Sequence, residues 1–120
     1  MKSIIFISLF FLQWQPQTST IIGKWSYSKY ETSKQLDEQT KAFLNNAFSK
    51  FSYDFREDAT YDLQKSRKKE TGTWKADAEL ITTTNSDGVT DKIKFIQKHK
   101  DTLRLEIEPG DFVVFYRNKQ

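Results

Sequence analysis

The 120-residue chain has no cysteine. That excludes a disulfide framework, a thiolate metal site, a thiol nucleophile and a lipid-modified cysteine anchor. It has one histidine, His99, set in Lys98-His99-Lys100 at a turn. Between two lysines at a turn, His99 reads as a solvated loop residue. There is no nucleophile motif, glycine-rich phosphate loop or His/Asp/Glu cluster with metal spacing. An enzyme is therefore not expected, and neither a metal nor any other cofactor is implied. Lys and Arg exceed Asp and Glu by only 19 to 16, too small an excess for a nucleic-acid partner. The longest apolar run, Ile4 to Leu12, has nine residues broken only by Ser8, against the roughly 20 needed to span a bilayer.

That short run follows Met1-Lys2-Ser3 and precedes Pro16 and Thr18-Ser19-Thr20. A positive start, a short apolar core and small hydroxyl residues make a secretory signal peptide of residues 1–20, cut between Pro16 and Ile22. The expected product is one domain, 21–120, exported to the periplasm or beyond, with no stable membrane span once the leader is removed. Losing Lys2 with the leader would leave Lys and Arg at 18 against 16, a charge of about +2.

What the chain does have is aromatic side chains, 15% of its residues. With aliphatic residues scarce, the core must be built from rings, which suits β-structure. Trp25 and Tyr27 alternate with Lys24, Ser26 and Ser28, the period of two of a half-buried strand. Leu36, Phe43, Leu44, Ala47, Phe48 and Phe51 then recur at helical spacings. The pattern predicts one helix over Ser33 to Lys50, with Thr32 and Gln35 as a capping box and Asp37 and Glu38 in the first turn. Its apolar stripe needs a partner, and a barrel mouth would supply one.

Beyond the helix the period returns to two. Tyr53 and Phe55 lead through Glu57-Asp58-Ala59 to Tyr61 and Leu63, a hairpin. Ser66 to Glu70 reads as a charged loop, and the basic run Lys65, Arg67, Lys68 and Lys69 as a solvated one. Trp74 and Ala76 precede a turn into Leu80 to Thr84. Asn85-Ser86-Asp87-Gly88 carries the strongest turn dipeptide in the chain and leads to Ile93 and Phe95. Leu103, Leu105 and Ile107 follow, and Pro109-Gly110-Asp111 turns into Phe112 to Arg117. The fold class is mainly β: a small up-and-down antiparallel barrel of about eight strands, one helix inserted between the first and second. An indole early in the first strand and a guanidinium late in the last are what closure would bring together, so Trp25 and Arg117 form the expected clasp.

Gly23-x-Trp25, Phe55-Arg56-Glu57-Asp58-Ala59-Thr60-Tyr61, Gly72-Thr73-Trp74 and Tyr116-Arg117 together resemble the small bacterial lipocalin-like domains of the calycin group. The resemblance covers nearly all of 22–118. Ala59 stands where that family has glycine, and the helix resembles the segment that covers one barrel mouth in related folds. An eight-strand barrel is either filled by side chains or just wide enough for one small ligand, and both readings stay open at this stage. The first is an apolar or amphiphilic molecule bound without catalysis; the second is a protein-interaction module whose filled barrel carries its loops. Candidate ligand contacts come from the alternating faces: Trp25 and Tyr27, Tyr53 and Phe55, Tyr61 and Trp74, Phe95, Leu105 and Phe112. Phe43 and Phe48 join them from the helix. Of these, Trp74 belongs either to the interior or to a mouth. Asp54 and Asp62 alternate with aromatic neighbours and are expected to face solvent, which argues against a catalytic carboxylate pair.

Overall fold

The computed structural model describes residues 20–118; the signal-peptide reading of 1–20 falls almost wholly outside them. Eight strands run β1 Gly23–Thr32, β2 Ser52–Phe55, β3 Thr60–Gln64, β4 Lys69–Ala76, β5 Leu80–Asn85, β6 Thr90–His99, β7 Thr102–Glu108 and β8 Asp111–Arg117. One helix, α1 Glu38–Phe48, lies between β1 and β2. The strands are antiparallel in sequence order, and β8 pairs with β1 to close the barrel.

Closure rests on the expected pair. Trp25 and Arg117 are directly opposite in the β1–β8 register. The guanidinium carbon lies 4.3 Å from the centre of the indole ring, and Trp25 is fully buried. The same guanidinium donates to the Ile22 carbonyl at 2.6 Å and to the Lys100 carbonyl at 2.8 Å, and also to the Thr20 carbonyl. The Trp25 indole N–H donates to the Ile21 carbonyl at 2.7 Å. One side chain thus ties the first strand, the segment before it and the β6–β7 turn. Gly23 is required beside it: its φ is +138°, and a Cβ there would stand 2.5 Å from the Arg117 Nη1.

This closed end of the barrel also carries the β2–β3 and β4–β5 turns; α1 and the other three turns mark the open end. The core is the aromatic one expected from composition. Tyr53 and Phe55 stack at 4.9 Å, Phe55 meets Trp74 at 5.0 Å and Tyr53 meets Phe115 edge-on at 5.5 Å. Trp74 is an interior residue at the closed end, its indole N–H donating to the Arg56 carbonyl at 3.0 Å. Trp25, Phe55, Tyr61, Ile81, Leu103 and Phe115 are all essentially inaccessible.

Three expectations need correction. In β8 Val113 and Phe115 join the core cluster, so Phe112 and Val114 face the other way, Val114 being buried there as well. Strand parity requires this: the alternation that puts Arg117 over Trp25 also puts Phe115 and Val113 inside. The helix is shorter than Ser33 to Lys50, because Asp37 caps it by accepting from the Thr40 N–H at 2.6 Å. Leu36 thereby falls in the connection before α1, and no Thr32–Gln35 capping box forms there. Glu70 lies in no loop; it belongs to β4, on the same face as Trp74.

Ala59 adopts φ +71°. The turn keeps its left-handed residue at a cost of about 1–2 kcal/mol for an L side chain. Asp58 offsets part of this by accepting from the Thr60 N–H at 3.0 Å. Ala59→Gly should therefore raise stability by about 0.5–1 kcal/mol in denaturant unfolding, the remainder going to glycine's greater unfolded-state freedom. Arg117→Met, which keeps the stem and removes the donors, should destabilise by about 2–4 kcal/mol. The far-ultraviolet dichroism of the folded state should stay unchanged, and a near-zero effect would mean that the clasp does not hold the barrel closed.

Candidate functional site

Two places at the open end combine accessibility with chemistry. The first is a cleft of about 770 Å³ bounded by the end of β1, the connection to α1, the first half of α1 and the outer wall at β7 and β8. A bulge builds it. The β1–β8 register shifts between Tyr27 and Lys29, so Trp25 and Tyr27 face inward before it, while Tyr30 and Thr32 do so after it. Glu31 is thereby turned outward to meet Arg104, whose Nη2 lies 2.6 Å from Glu31 Oε1. The Arg104 guanidinium also covers the Phe112 ring at 4.6 Å. Phe112 is therefore a wall of this outer cleft and lies outside the barrel lumen.

The far wall is held by Phe48. Its ring lies 6.1 Å from Tyr27, 5.9 Å from Tyr30 and 5.1 Å from Phe51. The Tyr27 hydroxyl donates to Asn45. Leu44 is half-buried in the cleft beside Leu36. The rest of the expected helix face does not pack: Ala47 is exposed and Phe43 is 70% exposed. The helix rests on the β1 rim through Phe48 and leaves the opposite rim uncovered, so it does not plug the mouth with the whole stripe. Sequence periodicity identified the stripe, but which of its residues meet the barrel depends on how the helix sits.

The second place is the lumen at its open end. Tyr61 and Tyr53 face the lumen, and Ile93 is half-buried on the opposite wall; Phe95, also half-buried, lies toward the closed end, its N–H donating to the Glu79 carbonyl of the β4–β5 turn at 3.0 Å. The Tyr61 hydroxyl donates to Glu70 Oε2 at 2.6 Å. Of the remaining candidates, Trp25, Phe55, Trp74 and Leu105 pack together in the buried core. Asp54 and Asp62 share the outer surface, where Arg56 bridges them at 3.1 and 2.9 Å. The signal that would have found the cleft is the row of opposite charges Glu31 and Arg104, but nothing local shows that these residues meet.

Electrostatics sets which carboxylates stay ionised. Asp111 is buried at the start of β8 and accepts from Thr32 and Tyr30, with the Lys34 ammonium 3.8 Å away. The Thr32 hydrogen bond, then Lys34 and Tyr30, hold its carboxyl below the usual range against the opposing effect of burial. Tyr61 in the same way lowers Glu70, assisted by Lys65 and Asn85. Carboxyls depressed in the folded state contribute stability that is fully present above their unfolded values of about 4 and is lost as pH falls through the folded ones. Asp111→Asn should therefore destabilise at pH 7 and lose that deficit as pH falls below the usual carboxylate range and through the folded carboxyl's lowered value, where the wild-type carboxyl is protonated as well, as read in thermal melts. A deficit independent of pH would show that the charge of Asp111 does not matter.

No family model and no curated protein matches the chain. Among solved structures it is similar to a DUF4847-family protein from Bacteroides vulgatus ATCC 8482, at 17% identity and TM-score 0.59, covering 82% of this chain and 94% of that one. It is also similar to a lipocalin-like protein from Bacteroides uniformis ATCC 8492, at 14% identity and TM-score 0.56, covering 82% and 99%. An uncharacterized protein from Bacteroides eggerthii DSM 20697 matches at 14% identity and TM-score 0.55, covering 81% and 98%. At these identities the likeness concerns the fold alone, a closed eight-strand antiparallel barrel like that of the lipocalin-like protein.

Proposed function

We propose that the protein is an exported, non-catalytic binding protein that holds a small amphiphilic molecule in the cleft beneath α1. The observation that carries this reading is the cleft itself, about 770 Å³, within the roughly 300–1,000 Å³ usual for small-molecule sites. Tyr30, Leu36, Leu44 and Phe112 offer apolar contact; Arg104, Lys34 and Lys41 offer charge on its border. Absence of chemistry is supported by the state of the nearby carboxylates. Glu31 is engaged by Lys29 and Arg104, and Asp111 is held ionised by its neighbours, so Asp111 is not tuned for proton transfer near neutrality. Export is supported by the leader pattern of residues 1–20. The packing of rings through the core favours a second reading, in which the barrel is a scaffold and its loops meet a protein.

Titration of the isotopically labelled protein with fatty acids and short-chain detergents separates the two. Saturable backbone shifts are expected at Leu36, Leu44 and Phe112, with Trp25 fluorescence unchanged at the distant closed end. Phe112→Ala should weaken binding about tenfold or more, the worth of one buried ring contact. If the cleft signals stay still across the panel, the amphiphile reading fails and the scaffold reading takes its place. Secretion would be checked separately: the exported form should begin between residues 16 and 22 by mass.

A further inference from the structure

The cleft beneath α1 contains an ion pair that is close but incompletely bonded. Glu31 Oε1 stands 2.6 Å from Arg104 Nη2. Yet neither that oxygen nor the Arg104 Nε, both sealed from solvent, makes an aligned hydrogen bond among the described residues. A buried donor or acceptor left so is costly, and more so when it carries charge. The rest of the guanidinium is accessible, the Arg104 side chain being 28% exposed and part of the cleft lining. Its carbon lies 4.6 Å from the centre of the Phe112 ring, which holds the group in place and leaves its N–H groups for another partner.

Resting on the reading of this cleft as an amphiphile site, we propose that its ligand is an anion and that Arg104 selects it. A carboxylate, sulfate or phosphate-monoester head takes the place of Glu31 on the guanidinium, and the attached tail lies along Leu36, Leu44 and Phe112. Glu31 is thus the chain's own substitute for the head group.

Three observations support the exchange. Glu31 can leave without losing every cation, because Lys29 Nζ lies 3.3 Å from its other oxygen, Oε2. A ligand oxyanion that is not tethered to β1 can align two oxygens with the planar guanidinium, and such paired, charge-assisted contacts are the strong ones. The lining is also unbalanced: Arg104, Lys34 and Lys41 are its cations, and Glu31 is its one carboxylate. Lys34 approaches Glu108 and Asp111 only to 3.9 and 3.8 Å, and Lys41 approaches Glu38 to 3.5 Å, from carboxylates that do not line the cleft. Exposed pairs of this kind are weak, so both ammoniums can turn toward a bound anion. A cationic head would meet three like charges, and a neutral head would gain from its tail alone.

The test compares one octyl tail on three heads, sodium octyl sulfate, octyl glucoside and octyltrimethylammonium bromide, each below its micelle concentration, with sodium sulfate as the tail-free anion. Binding is read by NMR on the Arg104 Nε–H and the Leu36 and Leu44 amides. Octyl sulfate should shift all three saturably, at about tenfold lower concentration than octyl glucoside, the worth of a charge-assisted hydrogen bond. The trimethylammonium should bind more weakly still, and sodium sulfate should give no saturable shift. Arg104→Gln should remove the preference for sulfate over glucoside while leaving the glucoside affinity in place. Glu31→Gln should tighten octyl sulfate about two- to fivefold, since the head no longer displaces a partly exposed ion pair. The double variant Glu31→Gln with Arg104→Gln leaves neither charge unpaired and should repeat the loss of preference if the single Arg104 variant is unstable. Equal binding of all three heads, or an undiminished sulfate preference without Arg104, would overturn the selection and leave the amphiphile site standing. Sodium sulfate binding as tightly as octyl sulfate would show an anion site that takes no tail, and no binding of any head to the wild type or to Glu31→Gln would end both readings together.

Discussion

The barrel depends on what Arg117 does over Trp25. An eight-strand sheet has two free edges until its first and last strands meet, and unpaired edges are both unstable and prone to pairing with other chains. Register alone does not choose where β1 and β8 join. A planar cation over an indole, with its N–H groups on the carbonyls of Thr20, Ile22 and Lys100, chooses it chemically. Gly23, beside the guanidinium, is the one position nearby where a side chain cannot be accommodated.

With one end sealed this way, the molecule divides along its axis. The closed half is filled by large rings in mutual contact, which excludes water and leaves no place for polar side chains. The open half has no such clasp. Its rim is covered on the β1 side by Phe48 of α1, whose contacts with Tyr27, Tyr30 and Phe51 anchor the helix. On the β6–β7 side it is left accessible, with Asp91 and Ile107 at the edge. The cleft is the space left outside where the β1–α1 connection departs from the wall.

The cleft and the lumen differ in charge as well as in position. Arg104, Lys34 and Lys41 border the first, whereas Glu70 and Asp91 face the second. Short-range partners, not net charge, set the field at each place.

The sequence by itself determined the elements and their order. Alternation of rings with polar residues, the Asp87-Gly88 and Pro109-Gly110 turns, and one stretch of helical spacing are local signals, readable because strand and helix periods differ. The Trp25–Arg117 clasp was legible too, since an indole near one end and a guanidinium near the other are complementary whatever lies between. What only the tertiary structure decided was phase. A single extra residue in the β1 bulge near Ser28 turns Tyr30 and Thr32 inward and Glu31 outward, and nothing in the sequence marks it. Phe112 was assigned to the lumen because strand parity had not been counted back from Arg117. Phe43 and Phe48 share one stripe, but only Phe48 meets the barrel, because the helix touches the rim at its last turn. Glu70 looked like loop charge beside four basic residues, and became a lumen carboxylate because β4 pairs with β3 as far as Lys69. Composition and period act along the chain and can be read there; the face a side chain presents depends on register across strands, which is settled only when the barrel closes.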